Sequence, residues 1–240
     1  MSYIFDFFLE PYREAETIDI ILEATAMLLG VVGVWFGKKE NILVYPLGII
    51  STSIYIYICY KFVLYGDFII NIYYTLMSVF GWYMWRKVID DKKSHIPISL
   101  TTNKDRLKAF GIFIFTALFV ILVYRYYNIM PNNLGFSESV SYAYSNLTAN
   151  NLEDFRKATP FLDTFTTGIF FAAMWLMALK KIEHWLLWIV GNIISIPLYF
   201  VKGLGFTGIQ FIILLVIAYL GYKQWKKSIR AKDVISMTKR

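Results

Sequence analysis

Seven stretches of this chain are apolar for close to the thickness of a lipid bilayer, and this constrains the fold more than any other feature. They cover approximately residues 20–36, 42–60, 68–85, 107–126, 161–179, 185–201 and 209–225. A hydrocarbon core about 30 Å thick needs roughly 20 helical residues at a rise of about 1.5 Å each. Both alternating faces of the runs are apolar, which argues against a transmembrane β-barrel. The chain is 58% hydrophobic and 17% charged, where a soluble domain has about 45–50% and about 25%. A soluble enzyme or nucleic-acid binder is thereby excluded. The expected fold is an all-α integral membrane protein with seven transmembrane helices.

Charge orients the spans. Basic residues follow the first run (Lys38, Lys39), the third (Arg86, Lys87, Lys92, Lys93, Lys104, Arg106, Lys108), the fifth (Lys180, Lys181) and the seventh (Lys223, Lys226, Lys227, Arg230, Lys232, Lys239, Arg240). That assigns 18 of the 24 Lys and Arg to one side. The other side receives the acidic residues Asp6, Glu10, Glu14, Glu16 and Asp19, then Asp67 and the polar stretch 128–160. The positive-inside rule predicts an N-terminus outside and a C-terminus in the cytoplasm. The net charge of +7 is then topological, with some attraction to anionic lipid, and implies no nucleic acid. The first 19 residues carry acids where a secretory signal has its positive region, so the first run is expected to stay as a span. Asn146-Leu147-Thr148 has the form of a glycosylation sequon on the outer side, without meaning in a bacterium.

The chain also resembles itself at an offset of 140 positions. Trp35 falls on Trp175, Ile42 on Ile182, Ile54 on Ile194, Gly81 on Gly221, Trp85 on Trp225 and Lys87 on Lys227. Aromatic residues coincide at Tyr45/Trp185, Tyr60/Phe200 and Trp82/Tyr222. The match predicts two parallel three-helix repeats joined by a linker helix, a 3+1+3 arrangement like that of SWEET-type sugar transporters, with one substrate site between the repeats. The expected division is 1–19 acidic segment, 20–85 first bundle, 86–106 basic loop, 107–127 linker helix, 128–160 outer loop, 161–225 second bundle and 226–240 basic tail.

Few side chains inside the runs carry chemistry. Trp185, Trp188 and Asn192 are spaced three and four apart, which places them on one helical face. Two indoles can stack on a flat ring, more strongly if it is cationic, and the Asn192 amide offers one acceptor and two donors. The same residues also suit an interfacial Trp belt with Asn192 joining helices. Glu23 and Asn71 are polar groups at membrane depth, where such groups are costly and face cavities or bundle interiors. They are candidate pathway residues, with Tyr45 and with Pro197, whose missing N–H weakens its helix beside Asn192. The single cysteine, Cys59, and two histidines, His95 and His184, are too few for a disulfide or a histidine-built metal site. No P-loop, dinucleotide fingerprint, HExxH or GxSxG occurs, so no enzyme activity and no cofactor are expected.

With Trp185, Trp188 and Asn192 forming W-x-x-W-x-x-x-N, the chain resembles the PnuC family of bacterial nicotinamide riboside transporters. The resemblance extends over most of the chain and includes the 41–48 segment, the Leu64-Tyr65-Gly66-Asp67 turn and the Gly81 to Trp85 ending. It implies a SWEET-like fold assembled as a homotrimer in the inner membrane. It implies facilitated diffusion of nicotinamide riboside, trapped inside by a kinase and feeding pyridine nucleotide salvage. Trp185, Trp188 and Asn192 would contact the substrate. Relatives of this fold carry thiamine, riboflavin or deoxynucleosides, so a thiamine carrier stays open. A non-transporting membrane receptor or scaffold also stays open, since the aromatic residues suit packing alone.

Overall fold

The computed structural model describes residues 16–62, 65–87, 97–149, 151–202 and 205–238. Asp6, Glu10 and Glu14 of the acidic segment, and Lys92 and Lys93 of the basic loop, lie outside the described residues. Eight helices are present among those described: α1 (Thr17–Lys38), α2 (Val44–Lys61), α3 (Tyr65–Lys87), α4 (Asn103–Tyr126), α5 (Phe136–Thr148), α6 (Leu152–Ala178), α7 (His184–Val201) and α8 (Gly205–Thr238).

The seven-span, 3+1+3 architecture expected from the sequence is overturned. Five helices among the described residues, not seven, are long and apolar enough to cross a membrane: Thr17–Lys38, Asn103–Tyr126, Leu152–Ala178, His184–Val201 and the Thr207–Ala231 part of α8. The reason is chemical. Helix α2 is 18 residues long and holds Ser51, Thr52, Ser53 and four tyrosines. Helix α3 carries Asp67, Asn71, Thr75 and Ser78 among its tyrosines and tryptophans. Tyr and Trp are amphipathic and favour the membrane–water boundary, so counting them as apolar overstates both helices. The stretch 128–160, expected as loop, instead contains α5 and the first turns of α6, which continues through Pro160. The tail expected at 226–240 is helical as far as Thr238.

Local chemistry sets the helix ends. Thr102 caps α4 through a reciprocal box with Asp105: Asp105 N–H donates to the Thr102 hydroxyl at 3.2 Å, and Thr102 N–H donates to the carboxylate at 2.9 Å. Asn151 caps α6, accepting from Asp154 N–H at 2.8 Å. These bonds satisfy amides that the first helical turn leaves unpaired. The turns after α1 and α6 each contain a non-glycine residue in the left-handed region, Glu40 (φ 57°) and Lys180 (φ 52°). The two positions are 140 apart, and their side chains meet, with Lys180 Nζ 4.0 Å from the Glu40 carboxylate. Lys180 also lies over the Trp85 ring, 4.4 Å from its centroid.

Helix α2 packs between α1 and α3, and α7 between α6 and α8, while α1 touches α8 and α3 touches α6. Helices α4 and α5 pack on α6. The largest buried cluster gathers Val44, Tyr45, Trp85, Met177, Ile182, Trp185, Ala218 and Trp225 from both parts of the chain. Two glycines make its ring packing feasible. A Cβ on Gly81 would stand 2.2 Å from the Tyr45 ring, and one on Gly221 would stand 2.7 Å from the Trp185 ring. Trp185 is almost fully buried and has no room to retreat. Gly221→Ala is therefore expected to cost about 1–3 kcal/mol through overpacking. A thermal midpoint of the detergent-purified variant equal to wild type would contradict this.

Candidate substrate site on α7

Helix α7 is held at its start by the segment before α4. Ser99 pairs with Lys181 in a single parallel bridge, with Ile182 N–H donating to the Ser99 carbonyl at 3.1 Å. The Glu183 carboxylate accepts from Thr101 N–H and from the Thr101 hydroxyl, each at 2.9 Å. The first turn of α7 is thus anchored to a second part of the chain.

One face of α7 combines burial with unpaired polarity. Trp185 and Asn192 are each 1% exposed, while His184 and Ser195 are 0% exposed. His184 Nδ1 lies 2.6 Å from the Lys181 carbonyl; because a carbonyl only accepts, that nitrogen carries the proton. Trp185 Nε1, His184 Nε2, Asn192 Oδ1 and Ser195 Oγ have no hydrogen-bond partner. Each such buried group costs about 1–3 kcal/mol of desolvation. Four within about three turns of one helix form a concentration that packing alone does not call for.

Aromatic rings wall this face. Trp188 is half-buried and stacks on Phe170 of α6, with centroids 4.9 Å apart and planes at 26°. Phe170 stacks in turn on Phe211 of α8 at 6.0 Å and 9°, and Phe211 on Tyr199 at 4.9 Å and 26°. Gly191 lets Phe170 reach this place, since a Cβ there would stand 2.1 Å from its ring. Phe170 thus covers one face of the Trp188 indole.

The residues singled out in the sequence separate into groups. Asn192 is buried on α7, and half-buried Trp188, one turn before it, stacks on Phe170 and packs against the edge of the Trp185 cluster. Trp185 and Tyr45 both belong to the buried cluster near the basic turns, where Trp185 meets Trp225 edge to face at 5.8 Å. Pro197 lies on the exposed side of α7. Glu23 is half-buried on α1, and Asn71 on α3 donates its amide to the Asp67 carbonyl of its own helix at 2.8 Å. Sequence reasoning missed Ser195, Phe170 and Phe211. Ser195 was accessible from spacing, being three residues beyond Asn192; the two phenylalanines come from other helices and left no local signal. Among the described residues no group of three His, Cys, Asp or Glu side chains is placed to hold a metal ion.

The helices define a class, a multi-pass all-α membrane protein, and the buried, polar, ring-walled edge on α7 has the chemistry to suit a small flat molecule. Residues 20–227 match the family model described as nicotinamide mononucleotide transporter, and the chain belongs to this family, that of the PnuC nicotinamide riboside transporters. It is similar to the nicotinamide riboside transporter PnuC of Neisseria mucosa, with 30% identity over 220 residues covering 88% of this chain and 74% of that protein. It is similar to the PnuC of Escherichia coli K12 at 22% identity, covering 88% and 87% of the two chains. Among solved structures it is similar to the crystal structure of the vitamin B3 transporter PnuC, at TM-score 0.60 and 25% identity, covering 90% of this chain and 84% of that one.

Proposed function

We propose that this chain carries nicotinamide riboside across the bacterial inner membrane, with Trp188 and Asn192 as its principal substrate contacts. The observation that carries this reading is the buried, unpartnered Asn192 Oδ1 one turn from the stacked Trp188 ring. A pyridinium ring is flat and cationic, which suits an indole face, and a carboxamide N–H suits the free oxygen. The family is described by the mononucleotide and the curated relatives by the riboside. The buried groups of the α7 edge are neutral, and Lys202 at the end of α7 is already paired with Asp163. A phosphate would lack a counter-charge there, so the riboside fits better.

In this proposal Trp185 frames the site from the buried cluster, and Tyr45, Glu23, Asn71 and Pro197 act along the pathway. Movement is facilitated diffusion with intracellular phosphorylation as the trap, and the protein assembles as a homotrimer. The N-terminus faces outward and the C-terminus inward, because the basic turns and the basic end of α8 share one side. Five spanning helices among the described residues, like seven, would place the termini on opposite sides.

The test is thermal stabilisation of the detergent-purified protein by nicotinamide riboside, its mononucleotide, thiamine, riboflavin and thymidine in parallel. A ligand that binds only the folded state raises stability by RT ln(1 + [L]/Kd). A saturable shift with the riboside alone is expected. A shift confined to thiamine or to the mononucleotide would overturn the substrate. Absence of flux in proteoliposomes despite binding would move the protein to the receptor class.

A further inference from the structure

We infer that Ser195 is a further substrate-binding residue, one that holds a hydroxyl of the sugar; the inference rests on the riboside reading above. A hydroxyl inside a helix ordinarily bonds the carbonyl one turn back. The hydroxyls of Thr25, Thr52, Thr75, Thr164 and Thr166 all do so, at 2.7–2.9 Å. Buried Ser51 instead donates across to the Ala26 carbonyl at 2.7 Å. Ser195 does neither: it is 0% exposed and its Oγ has no partner.

Position gives the orphaned hydroxyl a purpose. Ser195 follows Asn192 by three residues on the same face, about 4.5 Å further along the axis, and Trp188 lies about 6 Å back. The edge from Trp188 through Asn192 to Ser195 is therefore about 10 Å long, close to the length of a nucleoside. A ring against Trp188, with its polar substituent at Asn192, leaves the attached sugar to reach Ser195. The hydroxyl can both donate and accept, as a sugar hydroxyl can, so the pair is satisfied in either sense. Helix α2 offers no second edge of this kind. Thr52, which falls on Asn192 at the 140-residue offset, is 2.6 Å from the Thr75 hydroxyl and 2.9 Å from the Gly48 carbonyl.

The experiment uses the full-length protein and its Ser195→Ala variant, with Ser195→Cys as a near-isosteric second variant. Affinity is measured for nicotinamide riboside and for its 2′,3′-dideoxy analogue. Ser195→Ala is expected to weaken the riboside about three- to tenfold, the worth of one buried neutral hydrogen bond. It should leave the dideoxy analogue within about twofold. The empty variant is expected to melt at or above the wild-type temperature, because an unpaired buried oxygen has been removed. Unchanged riboside affinity, equal weakening of both ligands, or a less stable empty protein would each overturn the inference. A wild-type protein that binds no riboside would instead bring down the functional reading itself.

Discussion

Replacing Trp225 by alanine is expected to cost about 3–5 kcal/mol of stability, the usual range for emptying a large aromatic from a core. Trp225 is 0% exposed and meets Trp85, His184 and Trp185. Its indole N–H donates to the Lys38 carbonyl at 3.1 Å, tying α8 to the end of α1 across 187 positions of sequence. Alanine would leave a cavity bordered by three rings and a carbonyl without its donor. Phenylalanine should keep most of the packing and lose chiefly the hydrogen bond, about 1 kcal/mol. Thermal melts of both variants in one detergent check this. A Trp225→Ala protein as stable as Trp225→Phe would mean that the cluster does not hold the two ends together.

The second large effect concerns recognition. Asn192→Ala is expected to weaken nicotinamide riboside by about 1–3 kcal/mol, roughly five- to 150-fold, if a desolvated bond to Asn192 Oδ1 is lost. Stability of the empty protein should hardly change, since that oxygen has no partner to lose. The two readouts must diverge. A variant that melts early and binds normally would make Asn192 a packing residue, the helix-joining role that its spacing also allowed.

How much of this was legible in the sequence depends on the range of the physics. The α-helical membrane class followed from run length and composition, and the Trp185, Trp188 and Asn192 face from helical spacing. The span count did not follow, because a tyrosine-rich helix such as α2 is apolar in bulk but polar at its tips. Helix α5 was hidden in a stretch whose serines and asparagines read as loop, although Gly135 N–H donates to the Glu138 carboxylate at 2.8 Å and starts it. The stack through Phe170 and Phe211 joins three helices, so no window along the chain displays it. Among the three residues of the stripe, the sequence also could not tell which are ligand-facing. In the structure Trp185 packs against Gly221 and Trp225, and Trp188 stacks on Phe170.

The contrast between Thr52, whose hydroxyl is bonded within its own part of the fold, and Asn192, whose oxygen is not, bears on how such a carrier diverges. Losing Asn192 Oδ1 or Ser195 Oγ breaks no hydrogen bond of those atoms, so on the proposed site a lineage can change cargo there without first losing a folded protein. Substitutions at Thr52 or Thr75 break a bond that the fold uses, and selection would remove them before any new cargo was met. On the proposed site, a descendant that keeps nicotinamide riboside keeps Asn192, and one that changes cargo changes it on α7, with α2 and α3 held nearly constant as the frame against which α7 is read.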